Sequence, residues 1–326
     1  MKRIISACAC LVLGIAAFGA WAKPFTGLYV FGDSLSDTGN LYAASNGSIP
    51  GSPYFAGRFS NGANYVDILA PRLGLTATPS FLGGTNYAVG GARTASHSIN
   101  PGFSILAQVN SFVSKPVAAD PSALYTVFGG ANDLQDAIRA SLVSGLASGQ
   151  GKTLAAVDNI ELAIRNLAGD GALSFFVPNA PNLARTPGII EFGSPGISAI
   201  ASGLSSLFNT TLSQRLDILQ ADLGIDITRF DTFAFIDEIA TNAGKFGLSN
   251  VTSRCYSGAE TGFKPGDTIC TTPNDYLFFD RIHPSARVHS LFADRAFDAL
   301  SVPEPATLLL YSVGLLAMFV TVRKST

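Results

Sequence analysis

Charge is scarce in this chain: Asp, Glu, Lys and Arg together make up 13% of its 326 residues. The 21 Lys and Arg are balanced by 23 Asp and Glu and gather in no window, so the basic footprint of a nucleic-acid binder is missing and that class is excluded. Cysteine is rarer still, with four copies, and the length of 326 residues already excludes a disulfide-stapled miniprotein. Gly at 33 and Pro at 17 stay near ordinary usage, which excludes collagen and low-complexity disorder. No H-E-x-x-H, P-loop or G-x-G-x-x-G occurs, so metal, nucleotide and dinucleotide dependence have no motif, and no cofactor is expected. G-x-S-x-G is missing as well, which removes the nucleophile elbow of the α/β-hydrolases as a template.

What is present begins with two apolar ends. Met1-Lys2-Arg3, the apolar stretch from Ile4 to Phe18, and Ala20-Trp21-Ala22 match the charged, apolar and small-residue regions of a secretory signal. Residues 1–22 are read as a signal peptide cleaved after Ala22, which makes signal peptidase a partner. The stretch falls short of the roughly 20 residues that a spanning helix needs. At the other end stand Val302-Pro303-Glu304-Pro305, an uncharged run from Ala306 to Val322, and Arg323-Lys324. These three parts resemble a PEP-CTERM sorting signal over residues 302–326. The resemblance implies inner-membrane contact through the C-terminal helix, processing by an exosortase-type enzyme, and delivery to the cell surface or extracellular matrix. The alternative is a permanent anchor facing the periplasm.

The body, residues 23–301, shows no repeat, linker or charge run, so one domain is expected. Cys8 and Cys10 leave with the signal. Cys255 and Cys270 remain, and in an exported chain they are expected to form a disulfide closing a Gly-rich loop. Short apolar runs end in small or polar residues: Leu28 to Phe31, Leu124 to Phe128, Leu173 to Val177 and, less purely, Ile225 to Phe230. Such runs suit strands buried on both faces. Helix-length segments lie between them, at 64–73, 134–146, 153–167, 197–223 and 285–300. Strands alternating with helices predict a doubly wound α/β sheet that binds its ligand at the carboxyl ends of the strands.

Polar clusters fall at those ends. Gly32-Asp33-Ser34 follows the first strand and seats a serine hydroxyl at its lip, with a helix expected next whose N-terminus favours developing negative charge. A hydroxyl needs a base, and the chain has three histidines: His97, His283 and His289. His283 sits in Asp280-Arg281-Ile282-His283-Pro284, close enough to Asp280 for a carboxylate to orient the ring and stabilise its imidazolium. Taken alone, Gly-Asp-Ser also describes a turn and D-x-x-H also describes a surface loop. His97 and His289 are read as surface or packing residues.

Four blocks in order resemble the GDSL esterase and lipase family, the SGNH hydrolases. They are Phe31-Gly32-Asp33-Ser34-Leu35-Ser36-Asp37-Thr38-Gly39-Asn40, Asn86-Tyr87-Ala88-Val89-Gly90-Gly91-Ala92, Gly130-Ala131-Asn132-Asp133 and Asp280-Arg281-Ile282-His283-Pro284. The resemblance implies a three-layer α/β/α, flavodoxin-like fold with a mostly parallel sheet of about five strands. It makes Ser34 the nucleophile, His283 the base and then acid, and Asp280 its partner. Ser34 N–H, Gly90 N–H and the Asn132 amide would form the oxyanion hole. Asp33, Asp37 and Asp133 are read as acids that fix loops by accepting backbone N–H groups.

The expected function is an exported serine esterase or lipase that hydrolyses lipidic or short acyl esters through an acyl-serine intermediate. Two alternatives remain: a polysaccharide O-acetyl esterase acting on exopolysaccharide, and a non-enzymatic surface or matrix protein on a hydrolase scaffold.

Overall fold

The four apolar runs become parallel neighbours. The computed structural model describes residues 25–301, in which β1 (Leu28–Gly32), β2 (Leu124–Phe128), β3 (Ser174–Pro178) and β4 (Asp226–Phe230) form one sheet in the order β1-β2-β3-β4. Every pairing is parallel, with Leu28 opposite Leu124 and Phe31 opposite Val127 in the first ladder. The run read as starting at Leu173 enters the sheet at Ser174. The expected fifth strand is present only as a single bridge. Residues 85–89 run beside β1 through Val30 N–Thr85 O, Tyr87 N–Val30 O and Val89 N–Gly32 O, but the regular pairing is limited to Val30 with Asn86.

Helices cover both faces. They are α1 (Asn40–Ala44), α2 (Tyr65–Arg72), α3 (Ile105–Val113), α4 (Ala131–Ser144), α5 (Leu146–Gly169), α6 (Pro187–Ile190), α7 (Pro195–Leu223), α8 (Thr232–Thr241) and α9 (Ala286–Ser301). Strand side chains alternate between the two layers, as a pleat with period two requires. Phe31, Tyr125, Val127, Phe175 and Val177 pack with buried residues of α3, α4, α5 and α7. Leu28, Val30, Leu124, Phe128 and Phe176 pack with α2, α8 and α9. Each fully buried side chain of this size contributes about 1.5–3 kcal/mol, so the central strands are clamped from both sides. The three-layer α/β/α architecture is therefore observed.

Local signals place the helix starts. Asn64 accepts from Val66 N and Asp67 N while Asp67 returns a bond to Asn64 N, a capping box that starts α2. Ser194 accepts from Ile197 N, and Pro195 occupies the first turn of α7. One expectation fails: no helix begins at Ser34. Ser36 N and Asp37 N both bond to Asp33 O, giving a single turn, and the next helix starts only at Asn40. The Asp37 carboxylate takes the N–H groups of Gly39, Asn40 and Leu41, which displaces the helix start downstream.

After β1 the chain leaves toward residues 85–89 on one side and returns to β2 on the other. The carboxyl end of β1 is thus a point where the strand order reverses, the position at which open α/β sheets open a ligand crevice. A second small sheet, β5 (Asn250–Arg254) with β6 (Tyr276–Phe278), flanks this end. The loop between them is closed by the Cys255–Cys270 disulfide. Residues 25–300 cluster as one compact unit. The signal peptide expected at 1–22 and the sorting segment expected at 302–326 lie outside the described residues. Among the described residues no helix is long and apolar enough to cross a membrane.

Candidate functional site

The end of β1 is held by Gln108 of α3, whose side chain accepts Gly32 N at 2.9 Å and donates to Gly32 O at 2.8 Å. This pairing fixes the last peptide before the turn that carries Ser34. On the far side of the chain, the segment between β6 and α9 folds around its own acid. Asp280 Oδ1 accepts the N–H groups of Ile282 at 2.8 Å and His283 at 2.7 Å, a local Asx arrangement.

These two segments meet. Ser34 Oγ lies 2.8 Å from His283 Nε2, and His283 Nδ1 lies 2.7 Å from Asp280 Oδ2. All three side chains are buried. Asp280 Oδ2 also accepts the Tyr54 hydroxyl at 2.5 Å, a partner that sequence reasoning missed. Tyr54 lies 226 positions from Asp280, and no local pattern marks it.

Burial opposes charge on both members of the His–Asp pair, and the pair overcomes it. Burial acts to raise Asp280, but the charge and hydrogen bonds of His283, with the Tyr54 hydroxyl, hold its carboxyl below the ordinary value. Burial acts to lower His283, yet Asp280, followed by Glu260 and Asp33, carries it up to about 9. Glu260 sits on the disulfide-closed loop with its carboxylate 3.9 Å from His283 Nδ1, and it too went unnoticed in the sequence. Among the described residues, Glu260, Asp280 and His283 bring three metal-capable atoms within 4.8 Å. His283 Nδ1, however, donates its proton to Asp280 and offers no lone pair, so the group as arranged serves proton transfer rather than a cation.

The oxyanion donors require one correction. Gly90 N–H is already spent on Asp37 Oδ2 at 2.8 Å, and Gly90 does not line the cavity at Ser34. Its lack of a side chain serves packing: a Cβ there would stand 2.2 Å from the Phe59 ring. The neighbouring Gly91 does line the cavity, beside Ser34, Asn132 and His283. Among the described residues the N–H groups of Ser34 and Gly91 meet no acceptor. Asn132, in the first turn of α4, gives one amide hydrogen to Ala92 O at 3.0 Å and keeps a second. Its Oδ1 accepts from Gln135, which sets which end of the amide faces the cavity. Adjacent glycines are indistinguishable by pattern, and only the backbone path separates them.

The remaining acids and histidines take structural positions. Asp37 accepts four backbone N–H groups, and burial nevertheless pushes it up to about 6. Asp133 accepts Thr94 N and Oγ1. Asp33 fits its expected role by one oxygen only: Oδ1 accepts Leu35 N, while the buried Oδ2 has no partner, and burial pushes the group up to about 7. His97 and His289 are both buried, packing rather than surface residues. Burial pulls His289 down to about 3.

The cavity over Ser34 measures about 240 Å³. It shares Gln135, Leu183, Thr186, Glu260 and Ile282 with a second groove that continues past Ile138, Leu142, Ile189 and Phe192, with Arg139 and Arg281 also on its wall. A buried hydroxyl, an imidazole with a carboxylate behind it, and three unpaired N–H donors around one small space are the parts of an acyl-transfer site.

A family model described as GDSL-like lipase/acylhydrolase matches residues 28–296. A GDSL esterase/lipase of Arabidopsis thaliana is 28% identical over 319 residues, covering 83% of this chain and 85% of its own length. Esterase EstA of Pseudomonas aeruginosa is 29% identical over 352 residues, covering 95% of this chain. The chain spans about half, 52%, of the length of that esterase. The phosphatidylcholine-sterol acyltransferase of Aeromonas hydrophila is 26% identical over 335 residues, covering 87% of this chain and 94% of its own.

Proposed function

The chain belongs to the GDSL-like lipase/acylhydrolase family and is a carboxylic ester hydrolase, and from that premise we propose that it cleaves lipidic or short acyl esters through an acyl-Ser34 intermediate. The observation that carries this reading is the unbroken hydrogen-bond chain from Ser34 Oγ through His283 to Asp280, at 2.8 and 2.7 Å.

In the first half-reaction His283 Nε2 takes the Ser34 proton as Oγ attacks the ester carbonyl carbon. The carbonyl oxygen becomes an oxyanion that accepts from Ser34 N–H, Gly91 N–H and Asn132 Nδ2. The C–O bond to the alcohol then breaks, and His283 returns the proton to the departing alkoxide. Water repeats the sequence: His283 takes its proton, its oxygen attacks the acyl carbon, and Ser34 Oγ leaves with the proton. Asp280 stays ionised throughout, holding Nδ1–H and stabilising the imidazolium. Every proton is accounted for by these residues and water, so the scheme calls for no cofactor.

Support for a lipidic acyl group comes from the groove that extends the cavity along Leu142, Ile189 and Phe192. The names of the relatives, an esterase/lipase, an esterase and an acyltransferase, agree with acyl esters as the substrate class. The charged, apolar and small-residue pattern of residues 1–22 supports export, and the Pro303-Glu304-Pro305 segment with its apolar run supports delivery to the surface or matrix after C-terminal processing.

The test is turnover of nitrophenyl esters of short, medium and long fatty acids and of an acetylated polysaccharide, with Ser34→Ala in parallel. Fatty-ester hydrolysis that vanishes in Ser34→Ala is expected. Acetate release from the polymer alone would move the substrate to O-acetylated polysaccharide. No turnover, together with no labelling of Ser34 by a fluorophosphonate, would overturn the reading.

A further inference from the structure

The direction of Gly91 N–H depends on how a single peptide plane is held. Ala92 N bonds to Val89 O at 3.1 Å, closing a four-residue turn in which Gly91 is the third residue with φ +78°. With Gly90, the second residue, outside the positive-φ region, that dihedral identifies a type II turn; a type I turn has the same closing bond, but φ near −90° at the third position and its central peptide rotated by roughly 150°. With glycine at both central positions, sterics alone select neither form. Something else must choose, because the two forms point the Gly90–Gly91 peptide in opposite directions.

His97 supplies the choice. Its Nε2 lies 2.7 Å from Gly90 O, the carbonyl of that central peptide. Its Nδ1 accepts Ile99 N–H at 3.0 Å and Asn100 N–H at 3.3 Å, so the proton must reside on Nε2 and be donated to Gly90. The ring is buried against Phe103. Burial, aided by Arg93 and opposed by the Gly90 bond, pulls its pKa below the ordinary value and keeps Nδ1 an acceptor. A peptide's C=O and N–H point to opposite sides. Holding Gly90 O on His97 therefore turns Gly91 N–H the other way, and the flipped turn would present a carbonyl oxygen where the oxyanion develops.

We propose that His97 is a positioning residue for ester hydrolysis: by holding Gly90 O it locks the 89–92 turn in the form that offers Gly91 N–H to the oxyanion. This rests on the proposed role of Gly91 N–H as an oxyanion donor. It assigns to a histidine outside the triad a contribution made in the transition state, not in ground-state binding.

Two substitutions separate this role from simple loop packing. His97→Gln places an amide donor where Nε2 stood and gives up the Nδ1 acceptor. His97→Asn keeps an acceptor near Nδ1 for Ile99 N–H and falls short of Gly90 O. The expected result is a kcat within about threefold of wild type for His97→Gln and a fall of about 10- to 100-fold for His97→Asn, both with KM nearly unchanged, below the full loss of a donor. The opposite order, or equal losses, would overturn the proposal and leave His97 a loop-packing residue. A trifluoromethyl ketone that adds to Ser34 gives a second readout in the wild-type protein and in His97→Gln. Its addition should move the Gly91 amide proton strongly downfield in both. An unmoved Gly91 proton overturns the proposal even where His97→Asn fails to fold. Wild-type turnover that Ser34→Ala abolishes, together with a normal kcat in His97→Asn, removes the His97 role and leaves the ester-hydrolase reading intact. Loss of Ser34 dependence removes both.

Discussion

Tyr54 Oη stands 2.5 Å from Asp280 Oδ2, the same oxygen that accepts His283 Nδ1–H at 2.7 Å. With Ile282 and His283 N–H on Oδ1, the carboxylate accepts four hydrogen bonds and has one orientation open to it. Burial, followed by the Asp280 charge, pushes the Tyr54 phenol upward, so it acts as a donor at any ordinary pH. Tyr54→Phe keeps the ring contacts with Phe59, Tyr256 and Phe279 and deletes one bond to a charged acceptor. The expected loss is about 1.5–3 kcal/mol of stability. The three remaining bonds still aim Asp280, so kcat should fall by no more than about 10-fold, against about 10,000-fold for Asp280→Asn, which spoils the His283 tautomer. Denaturant unfolding and steady-state kinetics on the two variants check both figures.

Hydrolysis should rise toward alkaline pH. The base must be neutral to take the Ser34 proton, and Asp280, ahead of Glu260 and Asp33, outweighs burial to hold His283 up at about 9. The acidic limb of kcat/KM is therefore expected near 9, and Glu260→Gln should move it to lower pH. Stability runs the opposite way. A histidine raised above its ordinary 6.5 stabilises the fold fully below that value, and this is lost as pH rises through about 9, on the order of 3 kcal/mol. Paired pH profiles of rate and of unfolding free energy should therefore cross. A flat unfolding profile over that window would contradict the account.

Asn132→Ala and Gly90→Ala should fail in different ways, one in rate and the other in stability. Asn132→Ala is expected to lower kcat by about 100- to 1,000-fold with little change in KM, the usual cost of removing one oxyanion donor. Gly90→Ala drives a methyl into the Phe59 ring, which packs 5.2 Å from the His283 ring. Its principal effect should be a stability loss of about 1–3 kcal/mol from overpacking. If Gly90→Ala folds as well as wild type, the packing assignment fails.

The Cys255–Cys270 bond closes a loop with a sequence separation of 15, worth about 3 kcal/mol in chain entropy. That loop carries Tyr256, whose ring packs on Tyr54, and Glu260, beside His283. Reduction or Cys270→Ser should lower the unfolding free energy by about 3 kcal/mol and lower kcat as well, because the seat of Tyr54 loosens. Intact-mass measurement before and after reduction shows whether the bond is present. Loss of stability with unchanged kcat would mean that the loop does not support the triad.

Much of this was legible in the chain itself. Strands buried on both faces must be continuously apolar, so β1, β2 and β3 announced themselves, and Asp280 and His283 are three residues apart, close enough to be read as a pair. Four ordered blocks carried the family and brought Ser34 and Asn132 with them. Tertiary structure alone decided which of Gly90 and Gly91 faces the cavity, because neighbouring glycines differ only in the backbone path imposed by Asp37 on one side and His97 on the other. It alone joined Tyr54 to Asp280 across 226 positions and brought Glu260 to His283 on a closed loop. Periodicity reports which way a side chain points within its own element. It is silent on which distant element arrives opposite, and the bonds of Tyr54 to Asp280 and of Ser34 to His283 come from that encounter.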